Sequence, residues 1–220
     1  MLGTVNAESS SRLQEVGSFL RSVGLLNTTK GILKSGRELT AAKGLFFVHL
    51  YAAYEFTVLT GLREVYRQIN AATIEFKDCH SRLLTAALDK ELTSFVQVGS
   101  VHAWKARRAV FDHVGSTRIV AINENVNPAA GKNLAVGQLQ SIWDTLRIQD
   151  PMFPHPALIG RVAELVQNRV DVAHGNLSAS DVGRRYTVQE LRKRHTDIEL
   201  LCTHILASFE DYLKNGHFRA

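Results

Sequence analysis

Apolar side chains recur at three- and four-residue intervals along almost the whole chain. No segment alternates apolar with polar residues between turn signals. A chain patterned this way buries its apolar surface by laying amphipathic helices side by side. The expected fold is all-α: a bundle of long antiparallel helices with shorter helices and loops inserted. With 220 residues, 45% of them hydrophobic, the chain can build its core without a disulfide or metal staple. Residues 1–220 are therefore read as a single helical domain, with 1–8 and 215–220 expected to be mobile.

The first helix is expected from Ser10 to Val23, followed by a connector from Asn27 to Gly36. A long helix then spans Arg37 to Ile69, with a seam of Leu45, Val48, Ala52, Leu59, Leu62, Tyr66 and Ile69. Gly44 and Gly61 weaken that helix without breaking it. A third helix is expected from Thr73 to Val98, stopped by Gly99, with Phe76, Leu83, Leu84, Leu88, Leu92 and Phe95 facing inward. A shorter helix covers Val101 to Val114. The least patterned stretch, 115–135, reads as a loop or lid with a short strand at Arg118 to Ile122. Leu134 to Ile148 is again helical, and the prolines after it demand extended or turning chain. Pro156 opens a helix to Ala173, with Gly175 beyond its end. Thr187 and Glu190 have the spacing of a capping box and start the last helix, which reaches Lys214.

Several function classes are excluded by what is missing. Cys79 and Cys202 stand far apart in apolar segments and read as reduced, buried thiols. The N-terminal segment has no basic start followed by an apolar run, and no stretch reads as a membrane span, so a cytoplasmic location is expected. Eight of the histidines (His49, His80, His102, His113, His155, His195, His204 and His217) show no metal-ligand spacing, and no phosphate-binding glycine loop or nucleophile elbow occurs. No metal and no cofactor is expected. The net charge is +5, with 17 Arg against 9 Lys. Arginine suits phosphate, so the excess permits a polyanionic partner without requiring one.

Position is more informative than net charge. On the helix after Pro156, Ile159, Val162, Val166 and Ala173 define an apolar stripe, and Arg169 falls within it. A buried arginine needs an acidic partner, an interface or an anion. His174 follows at the helix end, about 140° further round the axis, where the negative end of the helix dipole favours a cation. Glu55 occupies the apolar seam of the long second helix between Ala52 and Leu59. A carboxylate there also seeks a partner, and an arginine from a facing helix is the natural one.

Arg169-x4-His174, on a late helix of an all-α domain and set in Ala173-His174-Gly175, resembles the R-x4-6-H motif of the HEPN superfamily. The helix carrying Glu55, within YAAYEFTVLTGL, also looks like the early helix of stand-alone members. The motif covers six residues, and helix order extends the likeness over most of the chain. The resemblance implies a homodimer whose two Arg-His pairs meet in one cleft and cleave RNA without metal, as toxins or in antiphage defence, often under a regulatory or antitoxin protein. tRNA is among the candidate substrates. The sequence departs from the family at Val170, where a polar residue commonly follows the Arg. It departs again at Asn176, where some members carry a Tyr. Arg108 and His113 offer a second match to the same spacing.

Under this resemblance His174 is the general acid/base and Arg169 the phosphate clamp. Glu55 orients Arg169, and Asn168, Asp171 and Asn176 are further polar candidates. Arg184, Arg185, Arg192, Lys193 and Arg194 are candidates for binding RNA phosphates. Lys105, Arg107 and Arg108 beside Trp104 form a second cationic and stacking candidate. The competing reading is a non-catalytic dimerisation or protein-interaction module, in which Arg169 and Glu55 form a purely structural pair.

Overall fold

The computed structural model describes residues 1–28, 36–97, 100–127 and 131–220, and it is built around one helix. That helix, α2 (Arg37–Ala71), buries Phe46, Phe47, Leu50, Tyr54, Val58, Leu62, Val65, Tyr66 and Ile69. Four others surround it: α1 (Gly3–Thr28), α7 (Ala157–Ala173), α8 (Ala179–Gly183) and α9 (Val188–Lys214). Between α2 and α7 lie α3 (Leu84–Ala87), α4 (Asp89–Gln97), α5 (Ser100–His113) and α6 (Val136–Leu146). Among the described residues there is no strand, only isolated bridges at Glu75–Ile119 and Cys79–Arg219. The all-α expectation holds, and the segment at Arg118 to Ile122 forms a single bridge instead of a strand.

By length and composition α2 is apolar enough to cross a membrane, a property the sequence reading did not detect. Just over half of its most apolar stretch is buried, and the buried side chains lie against the four surrounding helices, which is how a core helix is used. Gly44 lies beneath the backbone of Ala179, and Gly183 lies against Thr40. α8 therefore sits directly on the N-terminal third of α2 with no side chains between them, which is the reason for glycine at both positions. At the start of α9 the Thr187–Glu190 capping box is complete, with the Thr187 hydroxyl accepting from the Glu190 N–H.

At the two ends of the chain α1 begins at Gly3, with Leu2 and Val5 buried, and within 215–220 Phe218 is buried, its carbonyl accepts from His80 N–H at 3.2 Å, and Ala220 N–H donates to Asp78 at 2.9 Å. One expectation needs correction. The helix expected over Thr73 to Val98 is broken into a 3-10 turn (Phe76–Asp78) followed by α3 and α4. Thr73 turns the chain at φ 47°, and the next backbone groups pair with a distant segment: Phe76 N–H donates to Arg118 O at 2.9 Å and Val120 N–H to Ile74 O at 2.8 Å. Phe76, Leu83, Leu84 and Leu88 are nevertheless buried, as their pattern implied. Gly99, and the connector between Asn27 and Gly36 except for its end residues, lie outside the described residues, as does the side chain of Phe95.

His80 is the buried polar hinge of this region. Its Nδ1 accepts from Leu83 N–H at 3.2 Å, which leaves Nε2 to donate to the Tyr212 hydroxyl at 3.0 Å. Burial, reinforced by Arg147 and Arg82, lowers its pKa below the ordinary 6.5. The unfolded chain therefore takes up a proton from pH 6.5 downward that the folded chain resists, so stability present above that pH is lost as pH falls through the lowered value. Urea midpoints of wild type and His80→Gln should converge between pH 7.5 and 5.5 (roughly the range below which carboxylates take over). Parallel curves would assign the acid sensitivity elsewhere.

Candidate active site

The buried stripe of α7 is Leu158, Val162, Leu165 and Asn168. That is one residue away from the stripe the sequence suggests. Ile159 is 46% exposed, Ala173 is exposed, and Val166 only half-buried. Arg169 therefore stands at the margin of the core, where α7 faces α2. Its Nη1 donates to Asn133 Oδ1 at 2.7 Å, and its guanidinium lies 4.8 Å from the centre of the Tyr51 ring. Among the described residues no carboxylate lies within ion-pair distance of it. The guanidinium is held in place by an amide and an aromatic face, and its charge is not neutralised.

Glu55 is not the partner of Arg169. Its Oε1 accepts the Tyr51 hydroxyl at 2.6 Å, and the same Tyr51 oxygen accepts Leu134 N–H at 2.8 Å. Glu55 and Arg169 thus approach Tyr51 from two sides, and the structural Arg169–Glu55 pair does not form. Burial, together with the bond to Glu55, pushes the Tyr51 hydroxyl up to about 12, so it stays a donor at neutral pH. Tyr51→Phe should leave Leu134 N–H unsatisfied and remove the brace under Glu55. We expect it to destabilise the fold by about 1–3 kcal/mol, read by urea unfolding, where an exposed tyrosine would give close to nothing.

His174 caps the C-terminal end of α7, its N–H bonded to Val170 O at 3.0 Å. Gly175 turns away at φ 72°, leaving the imidazole exposed. Arg169, His174 and Glu55 line one open cleft of about 490 Å³, together with Leu59, Asn127, Gly131, Lys132 and Asn133. A fixed cation, a second cation and an imidazole thus share a space open to solvent. That arrangement suits an anion with a transferable proton nearby.

The other sequence candidates fall elsewhere. Asn168 is buried and donates to the Tyr186 hydroxyl at 2.9 Å, so it fixes helix packing. Asp171 accepts from Gln167 at 2.9 Å, and neither it nor the exposed Asn176 lines the cleft. Arg194 is not available for RNA: it grips Glu164 through Nε at 3.1 Å and Nη2 at 2.8 Å, and stacks on Tyr186. Lys193 pairs with Asp197 and Arg184 with Asp181, while Arg185 and Arg192 are exposed. None of these five cations lines the cleft. The rival His113 is half-buried against Phe76, with its Nε2 beside Arg118 at 2.7 Å, in a setting that supports local packing.

Sequence reasoning did not find Tyr51, Asn127, Lys132 or Asn133. The one available signal was the Gly131-Lys132-Asn133 cluster just before Leu134, which is fully buried and anchors that loop to the core. Among the described residues no group of His, Cys, Asp or Glu side chains is arranged to hold a metal ion.

A family model described as HEPN_MAE_28990-like HEPN matches residues 1–218. No curated protein and no solved structure matches the chain.

Proposed function

Because the chain belongs to the HEPN_MAE_28990-like HEPN family, whose members are associated with RNA, we propose that it is a metal-independent endoribonuclease acting as a homodimer. The observation that carries this reading is the cleft in which Arg169, unneutralised and held by Asn133 and Tyr51, shares space with the exposed His174. In the proposed reaction the substrate's 2′-oxygen forms a bond to the adjacent phosphorus while the bond from phosphorus to the 5′-oxygen breaks. One imidazole accepts the 2′-OH proton, and the partner subunit's His174 gives a proton to the departing 5′-oxygen. Arg169, with Lys132 beside it, stabilises the charge that builds on the phosphoryl oxygens. The products are a 2′,3′-cyclic phosphate and a 5′-OH end.

Dimerisation is supported by apolar surface next to the cleft. On α7, Ile159, Ala163, Val166, Val170 and Ala173 follow four-three spacing and are exposed or half-buried. On α2, Leu45 is 49% exposed, and the row continues through Val48 and Ala52 to Leu59 in the cleft. A second copy covering these rows would bring two clefts together, and Val170 then has a role as a contact. The setting we propose is cytoplasmic, in toxin or antiphage defence with a restraining protein partner, and tRNA is one candidate substrate. Incubation of total RNA with the purified protein in EDTA tests the chemistry: cleavage leaving cyclic phosphates is expected. Cleavage that vanishes with EDTA, or leaves 3′-OH ends, would refute the reading.

A further inference from the structure

α5 is turned inside out relative to the hydrophobic rule. Its inward positions carry Ala103, Ala109, Val110 and His113, all half-buried, while its two large aromatics point outward: Trp104 is 63% and Phe111 74% exposed. At about 100° per residue, Trp104, Arg107, Arg108 and Phe111 fall within one 100° arc, with the two rings two turns apart, about 10.5 Å. Arg107 lies 4.9 Å over the Trp104 ring, yet the ring remains exposed. Among the described residues Lys105 and Arg108 carry no ion pair. From Ser100 to Ile119, Lys105, Arg107, Arg108 and Arg118 face a single acidic residue, Asp112.

Exposed aromatic rings alone would suit many partners. Rings interleaved with cations such as Arg108 suit a polyanion that presents flat π-faces, and unpaired bases on a phosphate backbone are that ligand. Duplex RNA keeps its bases stacked and offers no such face. The position also fits. α5 packs chiefly on α4, and Asp89, at the start of α4, shares a hollow with Val126 and Asn127. Asn127 also lines the cleft of Arg169 and His174.

We propose that the outward face of α5 (Trp104, Arg108 and Phe111 with Lys105 beside them) is a docking platform for single-stranded RNA, lying apart from the cleft and on the side of it marked by Asn127. The proposal rests on the ribonuclease reading for the identity of the polyanion, but its test does not depend on cleavage. The probe is a twelve-nucleotide single-stranded RNA of mixed sequence with 2′-O-methyl sugars, which has no 2′-OH to attack. The chain has two tryptophans, and the other, Trp143, is buried. Quenching of the exposed emission therefore reports on Trp104.

The probe is expected to quench that emission. Trp104→Ala with Phe111→Ala, which removes that reporter and is therefore compared with wild type by the anisotropy of a dye-labelled probe, should weaken binding by about tenfold or more without lowering the melting temperature. Lys105→Gln with Arg108→Gln should flatten the log-affinity against log-salt slope by about 1.4. Unchanged affinity in the aromatic double variant, or no binding at all, overturns the platform. A change in oligomeric mass with unaltered RNA affinity makes the face a protein contact and also overturns it. Cleavage of natural RNA with α5-independent binding leaves the enzyme standing and removes the platform. Binding that depends on α5 in a protein that never cleaves does the reverse.

Discussion

His174→Ala is expected to reduce RNA cleavage by about 10²–10⁴-fold, the range for a positioned proton-transfer group. Arg169→Ala should reduce it by about 10²–10³-fold, as when a preorganised donor to the transition state is removed. The second loss should appear in kcat more than in KM, because the guanidinium is already oriented by Asn133 and Tyr51 before substrate arrives. Arg169→Lys keeps the charge and loses the planar fork, so it should recover only part of the rate. Both Ala variants should fold, since His174 is exposed and Arg169 stands at the core margin. Cleavage of total RNA by the wild type alone, scored by cyclic-phosphate ends, would agree. Equal activity in all three proteins would remove both residues from the mechanism.

The largest expected loss of stability comes from a methyl group. A Cβ at Gly183 would overlap Thr40 O and crowd Gly44 N, and one at Gly44 would overlap the carbonyl of Ala179. All of these are backbone atoms of α2 and α8, so relief requires moving a helix. Gly183→Ala should destabilise by about 3 kcal/mol or more. For a chain of this size that lowers the melting temperature by about 6–12 °C. Two controls separate sterics from helix propensity. At Gly61 the new methyl meets the Leu206 and Phe209 side chains at 2.9 Å and 3.1 Å, which can shift, so the loss should be smaller. At Gly160 it meets nothing within 4 Å, and Ala should stabilise by about 0.5–1 kcal/mol. A thermal melt in which Gly183→Ala behaves like Gly160→Ala would show that α8 is not seated on α2.

The contrast between Arg169 and Glu55 shows what was legible in the sequence. That α7 is a helix ending at His174 followed from Pro156, Gly175 and the periodicity, because those signals are local. Its rotation was not legible. Leu158, Val162 and Leu165 make as good a stripe as Ile159, Val162 and Val166, and only the surfaces of α2 and α9 decide between them. The second stripe remains on the molecule as uncovered surface, so the pattern was present but assigned to the wrong partner. In the same way, the row from Leu45 to Leu59 has the apolar spacing of a core face, whereas the buried face lies beside it. Glu55 is out of place in an apolar row, and its partner is Tyr51, one turn away on the same helix. Asn133 could not be assigned, because its contact with Arg169 joins residues 36 apart through an irregular loop. At Thr73 to Val98 the apolar spacing identified the buried residues but not their conformation, since backbone pairing with 116–120 outweighed the helix.

The central position of α2 also sets an order of events during synthesis. Its first neighbour, α1, precedes it in the chain, but α7, α8 and α9 begin only at Ala157. At about 5–20 residues per second, the ribosome needs on the order of 4–17 seconds to travel from the end of α2 to the start of α7. For that interval a helix long and apolar enough to cross a membrane has one side covered and the faces meant for three later helices bare. The nascent chain is thus a hydrophobic hairpin waiting for its second half, a natural client for a ribosome-bound chaperone. Any message truncated before α7 would release a product in which only α1, of the four surrounding helices, is present to cover α2.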